Sequence, residues 1–181
     1  MKIERLAGVL QGVQDQIRFC DTKAQVILGL NGILAGFLAT RASELASTIA
    51  GESRHVIAVG LFLSVALYLV FLVSSFAFGV RVVLPRLDVS QPDSCVFFSH
   101  IAAQHKNNYE KIAKELPGLS DEDLAADMAK QILANSHVCV RKHQSLRNSW
   151  VLTTLSAACW VSTWLFLFAS AFHISPGRVS P

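Results

Sequence analysis

Three stretches of this chain carry no charged side chain: residues 24–40, 56–80 and 149–172, which are 17, 25 and 24 residues long. A bilayer's hydrocarbon core is about 30 Å thick and takes roughly 20 apolar helical residues to cross. The second and third stretches meet that length outright. The first reaches about 26 Å at 1.5 Å per residue and carries Asn31, so a buried helix in a soluble core is its alternative. A soluble domain can bury one such helix, but three in 181 residues leave too little chain to cover them. The sequence therefore describes an all-α membrane protein with three transmembrane helices. Composition agrees, with 52% hydrophobic and 16% charged residues, against about 25% charged in an average soluble domain.

Lysine and arginine near the ends of the spans set the expected orientation. Arg18, Lys23, Arg81, Arg86, Arg141, Lys142 and Arg147 fall on one side, and Arg41, Arg54 and Arg178 on the other. The expected layout is a cytosolic amphipathic helix over 1–23, spans over 24–41, 56–80 and 149–172, an external loop over 42–55, a cytosolic helical segment over 81–148, and an external tail over 173–181. The cytosolic segment holds nine basic and eight acidic residues, so it is no polybasic nucleic-acid arm. The net charge of +3 reports topology more than partner choice. A signal peptide fits poorly, because 23 residues with many charges precede the first apolar run and no small-x-small cleavage pattern follows it. Cys20, Cys95, Cys139 and Cys159 show no C-x-x-C pairing, which points to thiols in a reducing compartment.

Apolar periodicity supplies the helices. Ile3, Leu6, Leu10, Val13, Ile17 and Cys20 recur at alternating steps of three and four, and Ala24, Ile27, Asn31, Leu34 and Leu38 continue the pattern. One helix can thus enter the bilayer without a break, with Asn31 on its packing face. That seam serves either a coiled coil between copies or packing against the chain's own helices. Gly32 and Gly36 fit the small-xxx-small spacing that lets helix backbones approach in a membrane. Between spans two and three, Asp93 or Ser94 can start a helix ended by Pro117-Gly118. Ser120 and Asp123 then have the spacing of a capping box. No breaker separates the helix they start from the third span.

Catalytic signatures are missing: there is no H-E-x-x-H, nucleophile elbow or phosphate-binding glycine loop. The expectation is a protein that is not an enzyme and uses no cofactor. Cys139 and His143 stand four apart, a metal-type spacing without an obvious second pair, so no metal is expected. Anion binding has more to recommend it. Lys23, Arg141 and Lys142 sit at the same end of their spans, with Asn135, Ser136 and His100 as polar companions. Cations with fixed polar donors are what phosphate recognition needs. The competing reading is that these cations only anchor the spans among lipid head groups. Asp21 argues against a pure anchor, because an acid there opposes head-group binding.

Three motifs taken in order are similar to one family. They are "CDTKAQVILGLNGILAG" at the first span, "CVFFSHIA" in the segment after the second, and "QILANSHVCVRKHQSLRNS" leading into the third. Together they resemble the Pycsar effector transmembrane family, over about residues 10 to 170. The resemblance implies an anti-phage effector in the bacterial inner membrane. It implies activation by a cyclic pyrimidine mononucleotide, cyclic UMP or cyclic CMP, made by a partner cyclase. It also implies an oligomer that impairs the membrane and aborts infection. The family's polar positions carry over to Asp21, Lys23, Asn31, His100, Asn135, Ser136 and Lys142. Ser99 and His143 depart from the pattern, and His143 puts a stacking role at its position in doubt.

The resulting expectation is a ligand site of Asp21, Lys23, His100, Asn135, Ser136, Arg141 and Lys142, with Asn31, Gly32 and Gly36 as the helix-packing face. The rival is a membrane scaffold, without sensing, that docks a cytosolic enzyme. A constitutive channel is disfavoured, since the spans show no acidic ring and only scattered Ser and Thr.

Overall fold

A computed structural model describes residues 2–51, 55–84 and 118–173. Among these residues the chain forms three helices and no strand: α1 (Lys2–Gly51), α2 (His55–Val83) and α3 (Asp121–His173). All three are long and apolar enough to cross a membrane. With 50 residues in α1 and 53 in α3, these helices run to about 75–80 Å at 1.5 Å per residue. Each is more than twice the length a bilayer core requires, so one helix carries both an apolar span and a polar extension.

The continuity of α1 corrects one boundary. The loop expected over 42–55 is helical through Gly51. Its polarity suggested a loop, but residues 42–51 contain no proline, and local contacts suit a helix. Arg41 pairs with Glu44 at 2.6 Å, Ser47 and Thr48 donate their hydroxyls back to the Glu44 carbonyl, and Leu45 is buried. The helix expected after Ser94 lies outside the described residues. Residues 121–148 belong to α3 and are continuous with its span.

The start of α3 follows from its sequence. The Ser120 carbonyl accepts the Leu124 N–H at 3.0 Å, and the Ser120 hydroxyl accepts the Asp123 N–H at 3.2 Å while donating to Asp123 Oδ2 at 2.6 Å. Asp121, Glu122 and Asp123 place negative charge at the positive end of the helix dipole. Ser120→Ala is expected to cost about 1 kcal/mol of local helix stability. The check is hydrogen exchange, which should quicken at residues 121–124 and leave the spans unchanged.

The chain divides into two compact units, residues 1–22 with 83–144, and residues 23–82 with 145–181. In each, the stripe read from the sequence of α1 faces inward. Ile3, Leu6, Leu10, Val13, Ile17 and Cys20 are buried or half-buried in the first unit, as are Ala24, Ile27, Asn31, Leu34 and Leu38 in the second. The chain's own helices cover this seam. In the second unit the inward face of α2 is Leu61, Ser64, Tyr68, Leu72, Ser75, Gly79 and Val82. Its outward face carries Val59, Phe62, Leu63, Val70, Val73 and Phe76. This distribution suits lipid, where apolar bulk gains nothing by turning inward and small or hydroxyl side chains make the helix contacts.

Candidate ligand site

In the first unit, α3 has its own packing seam through Gln131, Asn135, Val138 and Lys142, at steps of four and three. Lys142 is the outlier on it, a cation in a line of inward positions. Its side chain is only 6% exposed. A buried ammonium is costly unless paired, and the pairing comes from α1, where Asp21 Oδ1 accepts a hydrogen bond and ion pair from Lys142 Nζ. The Asp21 carboxylate is 32% exposed, so one partner is enclosed while the other keeps an edge toward solvent.

One residue along each helix lies a second contact. Cys20, with no exposed surface, has its thiol 3.1 Å from His143 Nδ1. The Cys139 thiol, one turn back on α3, lies 3.6 Å from the same nitrogen. Among the described residues no three His, Cys, Asp or Glu side chains form a metal-holding group. The sequence flagged His143 only as a departure and as half of a metal-type spacing. Its contact with Cys20 was findable, because Cys20 sits on the α1 seam.

The other expected site residues fall as follows. Asn135 is half-buried on the same α3 seam, two turns before Lys142. Ser136 is also half-buried, and its hydroxyl donates to the Ile132 carbonyl at 2.7 Å, a bond within its own helix. Arg141 is exposed. Lys23 is exposed and belongs to the second unit. His100 lies outside the described residues. Asp21 pairs with Lys142 and not with its chain neighbour Lys23. Residues two apart on a helix point to different faces and do not meet. The structure thus brings Asp21 and Lys142 together, with Asn135 in line.

In the second unit Asn31 packs against the chain's other helices. It is 2% exposed. Its amide donates to Ser75 Oγ at 2.9 Å, and its carbonyl accepts from Thr153 Oγ1 at 3.1 Å. Ser75 in turn donates to the Ser149 carbonyl at 2.9 Å, and the Ser149 hydroxyl donates to the Ser75 carbonyl at 2.8 Å. One residue of α1, one of α2 and two of α3 form a single closed network. Further along, Tyr68 donates to the Leu34 carbonyl at 2.5 Å, and the Ser64 and Thr163 hydroxyls meet at 3.0 Å. Of the two roles open to the α1 seam, Asn31 packs on the chain's own helices, with its polar groups satisfied within one chain. Gly32 and Gly36 do not make the close approach either, because a Cβ at either would meet nothing within 4 Å. The close approaches are at Gly79, where a Cβ would come within 2.9 Å of Leu28 Cδ2, and at Gly60, where it would come within 2.7 Å of the Phe166 ring.

A family model described as the Pycsar effector protein domain matches residues 5–169. The chain has no match among curated proteins and none among solved structures.

Proposed function

The chain belongs to the Pycsar effector family, and on that premise we propose that it is a multi-pass anti-phage membrane effector switched on by a cyclic pyrimidine mononucleotide, cyclic UMP or cyclic CMP. The observation that carries the reading is Lys142, an enclosed cation whose carboxylate partner on another helix keeps an edge in solvent. A phosphodiester is an anion like the carboxylate it meets there. It takes the ammonium from Asp21 or shares it, and so loosens α1 from α3 at that point.

Binding shifts a conformational equilibrium only by its difference in affinity between states. A ligand that exchanges one ion pair for another can supply the coupling of about 1–3 kcal/mol typical of such switches. Asn135, Ser136 and His100 are assigned to the sugar and base, with Arg141 as an outer cation. Both α1 and α3 run on into spans, so a change at the pair has a direct path into the bilayer. The response is assembly of copies and damage to the inner membrane, with no chemistry catalysed by this chain. Its N-terminus and residues 81–148 face the cytosol, where a partner cyclase makes the nucleotide.

The test is calorimetric titration of detergent-purified protein with cyclic UMP, cyclic CMP, cyclic AMP and cyclic GMP. One pyrimidine nucleotide is expected to bind at micromolar concentration, with no heat from the purines. Lys142→Met is expected to lose that binding in protein that stays helical and monodisperse. If none of the four nucleotides binds folded protein, the sensing reading fails.

A further inference from the structure

Cys20 and Cys139 are on different helices, yet both thiols lie on one nitrogen of His143, at 3.1 and 3.6 Å. Two sulfurs held on one atom can be no farther apart than those two contacts laid end to end. Neither is in a disulfide. Cys139 and His143 have surface open to solvent, while Cys20 has none. A half-open thiol, an imidazole within proton-transfer range and an enclosed second thiol make the layout of a peroxide-reactive cysteine with its resolving partner.

We propose that Cys139 and Cys20 are an oxidative modification site, forming a disulfide on exposure to hydroperoxide with His143 as proton carrier. Nδ1 also lies 3.2 Å from the Cys139 carbonyl, to which it donates when it holds the ring proton. With that proton on Nε2 instead, the imidazole accepts the Cys139 thiol proton at Nδ1. The thiolate attacks one peroxide oxygen and the O–O bond breaks. Cys139 becomes a sulfenic acid, oxidised by two electrons, and the departing hydroxide takes the imidazolium proton as water. Cys20 then gives its proton to Nδ1, and its thiolate attacks the Cys139 sulfur. The S–O bond breaks, and the second hydroxide leaves as water with that proton. Two thiols and one peroxide yield one disulfide and two waters.

The bond ties α1 to α3 beside the Asp21–Lys142 pair, because Cys20 adjoins Asp21 and His143 adjoins Lys142. This chemistry is independent of nucleotide binding and stands or falls separately from it.

The experiment is tryptic mapping of the full-length protein in detergent after hydrogen peroxide, with and without reductant. The expected product is a reductant-sensitive link between peptides 19–23 and 131–141, which carry Cys20 and Cys139. Cys159→Ser leaves that link intact and Cys139→Ser removes it. His143→Gln slows its formation about tenfold, and added imidazole, a base that can take the histidine's place, restores it toward the native rate. A purely structural histidine would show no such recovery. Cys139 accumulating as sulfinic acid while Cys20 stays reduced overturns the proposal, as does Cys20 linking to Cys95 instead.

Discussion

Asp21→Ala is expected to lower the thermal midpoint of the detergent-solubilised protein while raising its affinity for the cyclic nucleotide proposed as its activator. Removal of one member of a buried ion pair costs about 3–5 kcal/mol, because the other charge stays behind without its partner. Lys142 is the enclosed member, and the alanine leaves its ammonium in place. The partial exposure of Asp21 moves the expected cost to about 2–3 kcal/mol, since water reaches the vacated edge. Lys142→Met runs the other way: the stem is kept, the enclosed charge is gone, and the carboxylate left over can be hydrated. Its loss of stability should be less than half that of Asp21→Ala. Losses below about 1 kcal/mol from both substitutions would mean that the pair is a surface bridge of little consequence.

The affinity arm separates a switch from a strut. Where a nucleotide phosphate competes with Asp21 for Lys142, deleting the competitor strengthens binding by about tenfold, within the usual range of coupling energies. A carboxylate that itself holds the ligand gives weaker binding on deletion. Calorimetry and a melting curve on the same preparation read both quantities, and opposite signs are the signature of competition.

The second large effect is in the membrane part. Gly79→Leu is expected to unseat α2, since even a Cβ there would lie 2.9 Å from Leu28 Cδ2 and 3.4 Å from Ser149 Oγ. Overpacking of this kind typically costs about 1–3 kcal/mol, and here it also parts Ser75 from Ser149, which exchange two hydrogen bonds. Buried hydroxyls left without partners add about 1 kcal/mol each. Gly32→Leu and Gly36→Leu meet open space and should leave the melting temperature of the solubilised protein unchanged. Reversal of this order, with Gly32 sensitive and Gly79 tolerant, would show that the glycine contacts are misassigned. Gly32→Leu that stays fully stable yet no longer damages membranes would place the contact between copies on that face.

Much of the architecture was legible in the chain itself. Three uncharged runs made it a membrane protein, and steps of three and four from Ile3 to Leu38 named the inward face of α1 residue by residue. Ser120 and Asp123 marked where α3 begins. These features are local, set by helix periodicity, span length and capping, and one segment suffices to read them. The three motifs in order also named the family that the match over residues 5–169 shows.

Only the tertiary structure decided which polar groups meet. Asp21 had two lysines in view, and helix geometry turned it from its neighbour Lys23 to Lys142, 121 positions away. Asn31 could serve a contact between copies or one within the chain, and Ser75 and Thr153 fill its hydrogen bonds within it. The Ser and Thr that look scattered along the spans include Ser149, Ser156, Thr163 and Ser170, which recur every seventh residue on the buried face of α3. In the spans of α2 and α3, hydrophobic patterning did not tell inside from outside, because lipid is as apolar as a core. What fixes the seam is the mutual satisfaction of hydroxyls, an amide and one ion pair. Each such match depends on two helices at once, so no single segment of the sequence contains it.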